Sequence, residues 1–131
     1  DKSRQLMLEN QVAFLGVVEE NILYSLYKKA VGVIIPTLYE AGSFPLMESI
    51  LLNVPVICSN VTSLPETIGN DKFVFDPYDS NDISKKLIQF WNDEEFRKGN
   101  LKHIKLQADK LKQNDSLPVL QKMYSQQWQY Q

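Results

Sequence analysis

Two glutamates, Glu40 and Glu48, stand eight residues apart in the segment IleIleProThrLeuTyrGluAlaGlySerPheProLeuMetGluSer, residues 34–49. Their spacing and surroundings suggest binding chemistry. The segment reads as a buried strand, a loop and then a helix opening at Pro45, a residue favoured in the first helical turn. On that reading Glu40 lies just past the carboxyl end of the strand and Glu48 in the first turn of the helix, and both carboxylates open on one crevice. Ligands of open α/β sheets bind at that edge. The free amides of Ser43, Phe44 and their neighbours at the helix start can hold a diphosphate. Carboxylates beside such a site suit neutral hydroxyls, so the division of labour is amides for phosphate and glutamates for sugar or ribose hydroxyls. A plainer reading stands beside it: a glutamate in the first turn of a helix is commonly only a favourable partner of the helix dipole.

The elements that must hold these residues alternate between short apolar runs and stretches of helical period, the pattern of a parallel sheet with crossover helices. The fold class is α/β, a Rossmann-like parallel sheet with flanking helices and a helical carboxyl-terminal region. Strands are expected at 12–15, 32–36, 55–59 and 73–75, all short and apolar enough to be buried on both faces. Ile22, Leu23, Leu26 and Ala30 recur at helical spacing, with Glu19 and Glu20 at one end and Lys28 and Lys29 at the other to suit the dipole. The helix opening at Pro45 runs through Met47, Ile50 and Leu51 until Asn53 ends it. After Phe75 a turn, AspProTyrAspSer, leads to a helix capped by Ser80 or Asn81 with Ile83, Leu87, Phe90 and Trp91 on one face. Helices from Glu94 to Leu111 and from Leu117 to Trp128 follow. The whole chain, 1–131, reads as one ligand-binding domain, its sheet at about 12–78 and its terminal helices at about 80–129.

Composition narrows the function classes. In 131 residues, 44% apolar, one globular core can form, and a formal net charge of −2 offers no field that would draw nucleic acid or an anionic membrane. No apolar stretch approaches the roughly twenty residues of a membrane helix, and the amino terminus lacks a signal-peptide core. The single Cys58 lies in an apolar run and reads as a core thiol in a reducing compartment. His103, the one histidine, sits in a charged helix and reads as solvated or partly packed, not as a catalyst. Trp128, Tyr124 and Tyr130 read as packing residues. Glu66, after a proline near the crevice edge, is left open between a nucleoside contact and solvent.

Around Glu40 and Glu48 the sequence resembles the Glu-x7-Glu signature of family-4 (group 1) retaining glycosyltransferases. Other landmarks fall in that family's order: ValAlaPheLeuGly at 12–16, LeuTyrLysLysAla at 26–30, ProThrLeuTyrGlu at 36–40, AsnValProValIle at 53–57, LeuProGlu at 64–66 and PheAspPro at 75–77. The resemblance covers roughly residues 12–111. It implies the carboxyl-terminal, donor-binding domain of a GT-B enzyme, lacking its first two strand–helix units and its acceptor domain, so that this chain alone is inactive. It implies that Glu40 contacts hydroxyls of the donor sugar as the catalytic residue, and that Glu48 accepts hydrogen bonds from the ribose. The loop between them, Gly42, Ser43, Phe44, Pro45 and Leu46, faces the sugar and diphosphate. The family's Phe-Gly pair is replaced here by Gly42 and Ser43.

The substrate so implied is a nucleoside-diphosphate sugar, with no metal and no other cofactor. The sugar passes with retention to a glycan, lipid-linked or small-molecule acceptor. The setting is cytoplasmic, with a peripheral place at the inner membrane face. Two alternatives remain, a nucleotide-sugar epimerase of the same fold and a non-catalytic binding module. With the first two strands absent, the strand at 12–15 is expected to pair directly with that at 32–36 through a right-handed crossover, and residual apolar edges to favour self-association.

Overall fold

The computed structural model describes residues 5, 6, 8 and 10–113. Three strands form a wholly parallel sheet in the order β1 (Val33–Ile35), β2 (Val56–Ser59), β3 (Val74–Phe75). Val33 to Ile35 stand opposite Val56 to Cys58, and Cys58 and Ser59 opposite Val74 and Phe75. Helix α1 (Glu20–Lys29) precedes β1, α2 (Phe44–Leu51) joins β1 to β2, and the short α3 (Leu64–Ile68) with a 3-10 turn at Asp71–Phe73 joins β2 to β3. Two longer helices, α4 (Ser80–Asn92) and α5 (Glu94–Gln113), follow. The expected helix at Leu117–Trp128 and the aromatic residues Tyr124, Trp128 and Tyr130 lie outside the described residues.

β2 is buried along its whole length, as a central parallel strand must be. β1 is not: Ile35 points into the core while Ile34 is exposed, so β1 is covered on one face only. The expected strand at 12–15 does not form. Val12, Phe14 and Leu15 are exposed, none of them pairs with β1, and the described sheet has three strands. Apolar content is not enough for a strand, because its amide and carbonyl groups need a ladder partner. The direct pairing of 12–15 with β1 is therefore corrected, and α1 is not a crossover between described strands.

The core forms where both sides of β2 are covered. Leu46 and Ile50 of α2, Leu64 and Ile68 of α3, and Ile104 and Ala108 of α5 meet Val56, Ile57 and Cys58, with Phe73, Phe75 and Phe90 closing the cluster. α5 packs against both α2 and β2. In α4 the inward residues are Ile83, Leu87 and Phe90, while Trp91 turns outward. Its cap is Asp79, whose carboxylate accepts from the Asn81 amide at 2.8 Å, in place of the expected Ser80 or Asn81. A carboxylate in that position suits the positive end of the helix as well as its unpaired amides.

Burial pushes the Cys58 thiol up to about 12. Since the thiolate is the reactive species, Cys58 should resist iodoacetamide at pH 8 in the folded chain and be alkylated fully in denaturant. Rapid labelling of the folded chain, read by mass spectrometry, would contradict its place in the core.

Candidate functional site

In a parallel sheet all carboxyl ends lie at one edge, so the loops after β1, β2 and β3 emerge together. Three side-chain hydrogen bonds lace them. The Thr62 hydroxyl, after β2, donates to the Glu40 carbonyl in the loop after β1. The neighbouring Ser63 hydroxyl donates to the Ala41 carbonyl at 3.3 Å. The Tyr78 hydroxyl, after β3, donates to the Leu38 carbonyl at 3.4 Å. The loop carrying Glu40 is thus tied to both neighbouring loops. Thr62 makes its bond from a left-handed backbone, φ 51°. For a β-branched residue that conformation is a steric outlier, of the kind that costs about 1–3 kcal/mol and gathers at ligand sites.

α2 starts at Phe44, one residue earlier than Pro45. The Ser43 hydroxyl accepts from the Leu46 amide at 3.3 Å and its carbonyl from the Met47 amide at 3.1 Å. That start puts Glu48 in the second helical turn, and no acidic residue occupies the first. The dipole effect fades beyond the first turn, so the plainer reading of Glu48 as a dipole partner loses its geometric basis. Glu48 instead accepts from the Tyr27 hydroxyl of α1, Oη to Oε2 2.8 Å. Glu40 and Glu48 are both half-buried.

The loop residues between them divide by role. Leu46 is fully buried with its amide engaged by Ser43, and Pro45 has no N–H to offer, so these two shape the helix start. Ser43 is buried and its hydroxyl is spent on the cap. The backbone amides of Gly42, Ser43 and Phe44 donate to no partner among the described residues, and they are the ones a diphosphate could meet. A side chain added at Gly42 would meet nothing within 4 Å, so the fold does not itself require glycine there.

Two further candidates lie outside the segment that carries Glu40 and Glu48. His103 is half-buried, its Nε2 2.7 Å from the Ile68 carbonyl and its ring beside Phe73. Glu66 is exposed in the first turn of α3. Sequence reasoning missed Tyr27, Thr62, Ser63 and Tyr78. Each joins segments 21 to 40 residues apart, and no local pattern encodes such a pairing. Among the described residues no group of histidine, cysteine, aspartate and glutamate could hold a metal ion, and no helix is long and apolar enough to cross a membrane.

Comparison with known proteins bears on this arrangement. Residues 1–103 match the family model "Glycosyl transferases group 1". The chain is 39% identical over 89 residues to O-antigen chain mannosyltransferase B of Escherichia coli, an alignment covering 68% of this chain and 23% of that protein. It is 31% identical over 101 residues to the serotype-specific mannosyltransferase WbdA of the same species, covering 77% of this chain and 12% of that protein. Among solved structures, sucrose-phosphate synthase from Thermosynechococcus elongatus superposes with a TM-score of 0.77 at 20% identity, over 95% of this chain and 32% of that one. The chain therefore spans less than a quarter of the curated relatives described, and the structural likeness identifies the fold, that of a GT-B Rossmann-like domain. With its parallel sheet, its Glu40 and Glu48 loop at the carboxyl edge and a family match over residues 1–103, the chain belongs to the group 1 glycosyltransferases.

Proposed function

We propose that this chain is the donor-binding part of a glycosyltransferase that moves a hexosyl group from a nucleoside-diphosphate sugar to a glycan or lipid-linked acceptor, with retention and without a metal. The observation that carries the reading is the lacing of the Glu40 loop to both neighbouring loops beside the open amides of residues 42–44. On this reading those amides meet the diphosphate, the Glu40 carboxylate meets hydroxyls of the sugar, and the Glu48 carboxylate accepts from the ribose hydroxyls. The helix start stabilises charge on the departing diphosphate, aided by basic side chains from elsewhere in the protein. The names of the two Escherichia coli relatives favour a mannosyl donor and a polysaccharide product. A cytoplasmic place, at the membrane face where such acceptors lie, belongs to the same proposal.

The test is titration of this chain with GDP and with UDP, followed by amide chemical shifts. A few amide and hydroxyl contacts must offset the entropy of association, so the dissociation constant is expected near ~1 mM or weaker. The perturbed amides should centre on residues 40–48. Glu48→Gln should weaken binding about tenfold through loss of the charge-assisted bonds. Gly42→Ala should leave stability within about 1 kcal/mol of the parent, since nothing crowds the site. Shifts that avoid residues 40–48, or indifference to Glu48→Gln, would sink the assignment.

A further inference from the structure

We infer that Tyr27 is a positioning residue for the nucleotide site: its phenol holds the Glu48 carboxylate in the orientation that receives the ribose hydroxyls. The inference rests on the proposed function of Glu48 and extends the site to a helix outside the loop that defines it. α1 is mostly solvent-exposed, and Tyr27 is the one residue of that helix that is buried, at 7% exposure. Its hydroxyl reaches across 21 residues of sequence to Glu48 Oε2 at 2.8 Å, in a part-buried setting. That distance is ordinary for an O–H···O hydrogen bond, and a bond to an ionised carboxylate is about twice as strong as one between neutral groups.

The physical need is clear from the Glu48 side chain. A glutamate on a helix has three rotatable bonds, and ordering such a chain costs up to about 2 kcal/mol of rotamer freedom. A ligand that must order it on arrival loses that much affinity, whereas a carboxylate already held loses little. Tyr27 can do the holding because its ring is itself fixed by burial, with two torsions against the three of a glutamate. A carboxylate offers about four lone-pair sites, so the bond from Tyr27 leaves it capacity to accept further donors. The ribose hydroxyls, which are donors, then approach an acceptor whose direction is set in advance.

Three variants of the full chain, Tyr27→Phe, Glu48→Ala and the double variant, separate positioning from packing, with GDP and UDP as probes and thermal unfolding as a control. Phenylalanine keeps the buried ring and removes the hydroxyl. Tyr27→Phe should weaken nucleotide binding roughly fivefold when Glu48 is present and have no effect once Glu48 is alanine. A purely structural role predicts an equal loss in both backgrounds, and that result would overturn the inference. So would unchanged affinity in Tyr27→Phe while Glu48→Ala still weakens binding, an outcome that leaves the proposed function standing. Indifference of binding to Glu48→Ala would overturn both. If Tyr27→Phe proves unstable, Tyr27→His, which keeps a ring and a donor, should bind nucleotide more tightly than Tyr27→Leu, and equal affinity of those two would count against positioning.

Discussion

Replacing Asn100 with alanine is expected to cost about 3–5 kcal/mol, a large share of the roughly 5–15 kcal/mol by which a domain of this size is stable. Asn100 lies in α5 with no solvent exposure. Its Oδ1 accepts from the Val56 amide at 2.9 Å and its Nδ2 donates to the Val56 carbonyl at 2.8 Å. The reason lies in the sheet. Val33 bonds to the Pro55 carbonyl, so by alternation the polar groups of Val56 face away from β1, toward the side of β3. Yet β3 has only two residues, and its first stands opposite Cys58. A helix side chain thus occupies the ladder position that the short strand leaves open. Without it a buried N–H and C=O both lose their partner, each at about 1–3 kcal/mol.

The measurement is chemical unfolding of the parent and the Asn100→Ala variant under one set of conditions. A loss under about 1 kcal/mol would show that water replaces the amide without penalty. Asn100→Asp makes the sharper comparison. A carboxylate can accept from the Val56 amide but cannot donate to the carbonyl, whereas a protonated carboxyl can do both. Burial and the facing carbonyl should raise the introduced group's folded-state pKa above its unfolded value near ~4. The folded state then binds the proton more tightly than the unfolded chain does, so the stabilisation is full below the unfolded pKa and is lost as pH rises through the folded one. Measured relative to the parent at each pH, Asn100→Asp should be least harmful in acid and most harmful at neutral pH. The reverse slope would rule out the paired geometry.

Gly32→Ala carries the second large effect, at about 2–3 kcal/mol, from overpacking in a position that looks innocuous. A methyl group there would sit 2.3 Å from Cε1 and Cζ of Phe90 and 3.2 Å from the Pro55 carbonyl oxygen. Phe90 is buried and its ring meets Phe96 edge-on, so it has little freedom to withdraw. The backbone of Gly32 does not need glycine, since its φ lies outside the left-handed range. On backbone entropy alone alanine would stabilise by about 0.4–1 kcal/mol. The sign of the measured change therefore separates ring contact from chain entropy. Combining Gly32→Ala with Phe90→Leu should cost less than the sum of the two single changes, because the smaller side chain vacates the clash. Strict additivity would place the cause elsewhere.

Much of the architecture was legible from residue order. Three of the four expected strands formed within a residue or two of the expected bounds, because Val-Ile runs between turn residues have few other outcomes. The helices at Glu20–Lys29 and Phe44–Leu51 followed from periodicity, and the last described helix from its charged pattern. The strand at 12–15 was misread for a physical reason. An isolated apolar run carries no information about whether a neighbour exists to complete its hydrogen bonds, and here none of the described strands pairs with it. The placement of Glu40 just past β1 and of Glu48 on the helix that follows was readable as well, since the strand, the proline and the serine all lie within one short segment.

What the tertiary structure alone decided are the contacts between segments distant in sequence. Local spacing can place Glu48 on a helix, but only the packing of α1 sets a tyrosine hydroxyl against it. The Thr62 and Tyr78 hydroxyls bond backbone carbonyls, acceptors that every residue carries, so no residue type in the Glu40 loop could have announced them. Asn100 likewise reads in the sequence as one polar residue in a polar helix. It became a sheet partner because β3 is too short to cover β2, and strand length relative to a neighbour is a property of the assembled sheet, not of either segment.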